Sequence, residues 1–157
     1  MIRRGPLSFL PFVVSALFCS GACNFEPAPS AYALVTLKHD ETRIQMVTIM
    51  EIPGENECDS AIQQFTNGFG EGGSQGWRQT ERSCQQTLEP LYQRVMNKET
   101  FHATYLAFSP RSTWEYEGRI VLYGIPSQQA QEICHDIAGE VGESLGVEVE
   151  CIEGTIG

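Results

Sequence analysis

Residues 31 to 54, AYALVTLKHDETRIQMVTIMEIPG, contain two runs in which apolar side chains recur at every second position. Ala33, Val35 and Leu37 share one face of the first run, and Ile44, Met46, Met50 and Ile52 line the second. The polar His39-Asp40-Glu41-Thr42 between them makes a turn, so the stretch reads as a β-hairpin ending at Ile52-Pro53-Gly54. A second hairpin, from His102 to Phe108 and from Tyr116 to Ile125, turns around Ser109-Pro110-Arg111 and also ends on an Ile-Pro pair, Ile125-Pro126.

Each hairpin is followed by a helical pattern. From Glu57 to Asn67, Cys58, Ala61, Ile62 and Phe65 fall at helical spacing, and the glycine-rich stretch from Gly68 to Gly76 stops the helix. From Ser127 to Ser144, Ala130, Ile133, Cys134, Ile137, Ala138 and Val141 form one apolar side; Gly146 closes that helix. Val147, Val149 and Cys151 then alternate with Glu148 and Glu150, a final strand with one wet face.

Trp77 to Asn97 supports two readings. Trp77, Cys84, Leu88, Leu91 and Val95 fit a helical stripe that Pro90 would break, and a short strand through Cys84 followed by a helix from about Pro90 fits equally well. The halves of the chain resemble one another: hairpin, Ile-Pro, helix bearing a Cys, glycine-rich turn, segment ending in a Cys. Such a ββαβ repeat favours the strand and pairs Cys58 with Cys84 as Cys134 pairs with Cys151. The second pairing also follows from the apolar helix and strand faces that carry its two cysteines. The expected fold is α+β, a two-layer sandwich with an antiparallel or mixed sheet and helices on one face. A ferredoxin-like core would leave the first strand without a place.

The first 23 residues set the compartment. Arg3 and Arg4 precede an apolar run from Leu7 to Phe18, and Ser20, Gly21 and Ala22 lead into Cys23, the layout of a secretory signal peptide cut between Ala22 and Cys23. An uncleaved anchor is disfavoured by Pro11, by several serines and by a run that barely approaches the ~20 residues of a span. Ser20-Gly21-Ala22-Cys23 resembles the lipobox of bacterial lipoproteins, with Ser20 where that family usually has Leu. The resemblance implies that Cys23 becomes the first mature residue and carries a diacylglycerol on its sulfur, anchoring the chain to a membrane. Because Asn24 rather than Asp follows, it also implies the outer membrane, facing the periplasm. Ordinary secretory cleavage suits the same residues and would release the chain to the periplasm. The expected organisation is a signal peptide over 1–22, a lipidated N-terminus and tether over 23–30 with Pro27 and Pro29, and a single domain over 31–157.

Six cysteines fit this arrangement. Cys19 leaves with the signal and Cys23 is acylated, so Cys58, Cys84, Cys134 and Cys151 remain, an even set for two disulfides in an oxidising compartment. No two of these four have the close spacing of a zinc ligand pair.

Charge bounds the partners. The leader takes Arg3 and Arg4 from the 10 basic residues and nothing from the 20 acids, so eight bases face 20 acids and the mature chain is formally −12. Nucleic acid does not suit that surface. Gly72-Gly73-Ser74-Gln75-Gly76 matches a nucleophile elbow, but a helix rather than a buried strand precedes it, so it reads as a loop. His39, His102 and His135 are scattered, and no catalytic residue, metal or cofactor is expected.

Two surfaces remain. Glu132, Asp136, Glu140 and Glu143 fall within roughly 80° of one another on the last helix. They are either a solvated face or a docking stripe for a basic envelope protein or a divalent cation. Arg111 and Trp114 flank the second turn as a candidate contact pair, unless Trp114 folds back onto the sheet. The function expected is a non-enzymatic binding or inhibitory module of the cell envelope. The alternative is a small periplasmic hydrolase or metal-dependent enzyme whose polar groups converge in a pocket.

Overall fold

The structure, a computed structural model, describes residues 31–69, 76–100, 102–111 and 114–154. The expected signal peptide and tether, Cys23 and the residues around Ser74 lie outside them. The described chain runs β1 (Ala31–His39), β2 (Gln45–Ile52), α1 (Cys58–Phe69), β3 (Trp77–Gln85), α2 (Pro90–Met96), β4 (Tyr105–Phe108), β5 (Glu117–Tyr123), α3 (Ala130–Leu145) and β6 (Val149–Ile152).

All six strands form one sheet in the order β3-β1-β2-β5-β4-β6, with every neighbouring pair antiparallel. The order is palindromic. Each half is a hairpin whose first strand also pairs with the strand arriving after the helix, and the halves join along β2 and β5 from Gln45↔Tyr123 to Glu51↔Glu117. The repeat seen in the sequence is thus repeated in the topology. The six-stranded order β3-β1-β2-β5-β4-β6 is not that of a ferredoxin-like core, which has four strands.

Alternation explains the layers. Ala33, Val35, Leu37, Met46 and Met50 point to one face, where they bury Cys58, Ala61, Ile62 and Phe65 of α1 and Cys134, Ile137, Val141 and Leu145 of α3. The α+β sandwich expected from the sequence is therefore present, with α1 and α3 as its helical layer. The intervening positions Leu34, Val47, Ile49 and Val121 are apolar too, so the central strands need cover on their second face. The short helix α2 supplies it with Val95 and Met96.

The ambiguous segment resolves into strand and helix. Pro90 begins α2, where its missing N–H costs no hydrogen bond, and Trp77 to Gln85 form a polar edge strand. Arg78, Glu81 and Arg82, with a register shift opposite Thr36 and Leu37, leave this long edge poorly suited to pairing with another chain. On β5, Gly118 is required by close approach: a Cβ there would collide with the Phe108 ring and lie 2.9 Å from the Ile49 carbonyl oxygen. Gly146 ends α3 at φ +66, and the Val147 N–H donates back to the Gly142 oxygen at 3.2 Å.

Two disulfides tie helix to edge strand in both halves. Cys58 joins Cys84 with Cα atoms 6.0 Å apart, and Cys134 joins Cys151 at 6.1 Å, both ordinary separations for the bond.

Candidate functional site

The acidic stripe lies where helical periodicity puts it. Glu132, Asp136 and Glu143 are exposed on α3, opposite the buried Cys134, Ile137, Val141 and Leu145. Glu140 differs from them in being half-buried. Burial, followed by the carboxylate of Asp136 one turn earlier, raises its pKa, while His39 pulls it down. The stripe therefore has a border on the sheet. The His39 ring stands edge-on to Trp77 at 5.0 Å and accepts a hydrogen bond on Nδ1 from the Glu41 N–H at 3.3 Å. It also packs over Gly76, where a Cβ would come within 3.3 Å of Nε2. His39 is separated from Glu140 by most of the domain in sequence, so nothing in local patterning connects them.

The hairpin pair is divided. Trp114 is 1% exposed and stands edge-on to Phe65, Phe108 and Tyr116 at 6.3, 6.0 and 5.5 Å. Of the two readings of Trp114 this is the one in which it folds back onto the sheet, and it removes the residue from the candidate contact pair: its large apolar area is better buried beneath α1 than left at a turn. A small backbone bridge holds it there, with the Arg111 N–H donating to the Trp114 oxygen at 2.8 Å and the reverse bond at 3.0 Å. Arg111 stays at the surface and pairs with Glu148.

A further polar residue escaped the sequence reading. Arg119 is only 1% exposed, on the sheet face beneath α2. Its Nη1 donates to the Gly118 oxygen at 2.7 Å, and its Nη2 donates to Glu117 Oε1 at 2.6 Å and to the Met96 oxygen at 3.1 Å. Its Nε has no partner among the described residues. The guanidinium therefore fastens the end of α2 to β5. Nearby, the Tyr105 hydroxyl donates to the Glu99 oxygen at 3.2 Å, and burial raises its pKa against the pull of Arg119. The sequence signal was a lone charge in the run Arg119-Ile120-Val121-Leu122, legible as buried only once α2 is known to cover that face.

Among the described residues, no group of three or more His, Cys, Asp and Glu side chains is placed to hold a metal ion. Three surface cavities, lined by mixtures of charged, polar and apolar residues, contain no histidine. Comparison with protein-family models, with curated proteins and with solved structures finds no match.

The stripe has a pH signature. Because the folded state raises the pKa of Glu140, it holds that proton more tightly than the unfolded chain, and stability falls as pH rises from the ordinary carboxylate value through the raised one. Glu140→Gln should therefore raise stability near pH 7 by roughly a few tenths of a kcal/mol, with the gain fading toward pH 4. Urea unfolding of both proteins at the two pH values checks this; an equal effect at both would contradict it.

Proposed function

We propose that the chain is an exported envelope lipoprotein, held through Cys23 to the periplasmic side of the outer membrane and working as a non-catalytic binding or inhibitory module. The observation that carries this reading is the use of cysteine. Cys58, Cys84, Cys134 and Cys151 are consumed by two bonds within the domain, which fits an oxidising compartment and leaves Cys23 for the lipid that its lipobox-like context implies. No helix among the described residues is long and apolar enough to cross a membrane, so attachment in this reading rests on the acylated N-terminus.

The binding surface is the α3 stripe. Glu132, Asp136 and Glu143 are exposed, and no basic residue occupies the last turn of the helix to neutralise them. On a mature chain that is strongly negative overall, such a face draws basic partners by long-range attraction and repels acidic ones. The occupant proposed is a basic protein of the envelope.

Metabolic labelling with a fatty-acid probe should tag the wild type and leave Cys23→Ser unlabelled; equal labelling of both would end the lipoprotein reading. Binding is read separately, by capture from envelope extract at low and high salt. Wild type should retain a basic partner at low salt and lose it as salt rises, and Glu132→Gln/Glu140→Gln should associate more slowly. Capture that is indifferent to both salt and substitution would remove the stripe from the account.

A further inference from the structure

The edge strand β3 is held to β1 in two unlike parts. The register shift opposite Thr36 and Leu37 leaves Thr80 as the extra residue between them, with Gln79 facing Leu37 and Glu81 facing Thr36. Before the shift the strand is anchored by packing. Trp77 is buried and meets the His39 ring edge-on at 5.0 Å, the Asp40 N–H donates to the Gly76 oxygen at 2.6 Å, and Arg78 pairs with Asp40 at 3.4 Å. After the shift, Glu81, Arg82, Ser83 and Cys84 are all exposed and Gln85 is half-buried.

This second part has little beneath it on either face. On the α2 side, Glu81, Arg82 and Ser83 line a cavity of about 350 Å³ together with Leu34, Thr36 and Tyr92, so space rather than packed side chains lies against the strand. On the α1 side, the main tie is the bond from Cys84 to Cys58, which is 1% exposed at the start of α1. The remaining hold is the backbone ladder to β1, and an edge ladder that buries so little opens readily.

The two disulfides also differ in access. In each the helix cysteine is buried, Cys58 at 1% and Cys134 at 0%. Of the strand cysteines, Cys84 is exposed, whereas Cys151 is half-buried against the core. Thiol–disulfide exchange requires a thiolate to reach one of the two sulfurs, and Cys84 Sγ is the point of entry. Attack there breaks the S–S bond and leaves the electron pair on Cys58 Sγ, which takes a proton. A second thiol of the same reagent then displaces the mixed disulfide, freeing Cys84 as a thiol and leaving the reagent as its own disulfide.

We propose that Cys58–Cys84 is a thiol-sensitive latch. Reduction by a small dithiol releases residues 81–85 from the sheet, hinged at Thr80, while Trp77 keeps its place and Cys134–Cys151 stays closed. The release uncovers the edge of β1 over residues 32–36, whose backbone is then open to an added strand. The inference stands apart from the envelope reading, since it uses neither Cys23 nor the α3 stripe.

The test is titration of dithiothreitol into the purified full-length chain, its free thiols first blocked, without denaturant; new thiols are alkylated and mapped by mass spectrometry. Alkylation of Cys58 and Cys84 is expected at reductant concentrations at least about tenfold below those that open Cys134 and Cys151. Hydrogen exchange in the partly reduced protein should become at least about tenfold faster for residues 81–85 and for the β1 amides facing them, and stay unchanged for residues 77–79 and for α3. Cys58→Ser/Cys84→Ser should show the same exchange pattern with no reductant. Opening of Cys134–Cys151 first or at the same concentration, resistance of Cys58–Cys84 to the dithiol, protection retained at residues 81–85 once it opens, or protection lost throughout the reduced domain would each overturn the proposal.

Discussion

Both outer strands of the sheet are held by a covalent tie to a helix, and the architecture depends on it. β3 brings a single buried apolar side chain, Trp77, while most of its remaining residues are polar and exposed. β6 has four residues, none of them fully buried. Neither strand gains enough from burial to hold its place securely, and strands of such composition at a sheet edge fray readily. Cys58–Cys84 fastens β3 to α1, and Cys134–Cys151 fastens β6 to α3. Closing loops with sequence separations of 26 and 17, each bond should contribute about 3 kcal/mol by restricting the unfolded chain. That is a large share of the stability of an ordinary domain.

With the edges fixed, the two halves differ mainly in what was inserted between them. The α1 and α3 layer is shared, but α2 belongs to neither repeat and turns the second face of the sheet into a partly covered surface. Arg119 secures that cover at the cost of burying a guanidinium whose only carboxylate partner among the described residues, Glu117, is 43% exposed.

Much of the fold was legible in the sequence because the strands obey a period of two and the helices keep their apolar residues on one side. Ala33, Val35 and Leu37 fixed the inward face of β1, and Cys134 and Cys151 sat on faces that had to meet. The repeat also chose correctly between strand and helix at Cys84, where periodicity alone was divided. What local pattern could not supply was cover for the second face: Leu34, Val47 and Ile49 are apolar, but α2 is only seven residues long and its docking is a long-range event. The same limit applied to side chains. Trp114 at a turn resembled a contact residue until α1 was packed above it, and the meeting of His39 with Glu140 depends on how β1 and α3 are placed in space.

The proposed envelope function needs an oxidising compartment, and four cysteines pair within the fold. The most direct measurement is non-reducing peptide mapping of protein taken from cells with its free thiols blocked at lysis. The account predicts Cys58 linked to Cys84 and Cys134 linked to Cys151, with no blocked thiol at these positions. A Cys58 to Cys151 peptide would contradict the fold, and four blocked thiols would contradict the oxidising compartment.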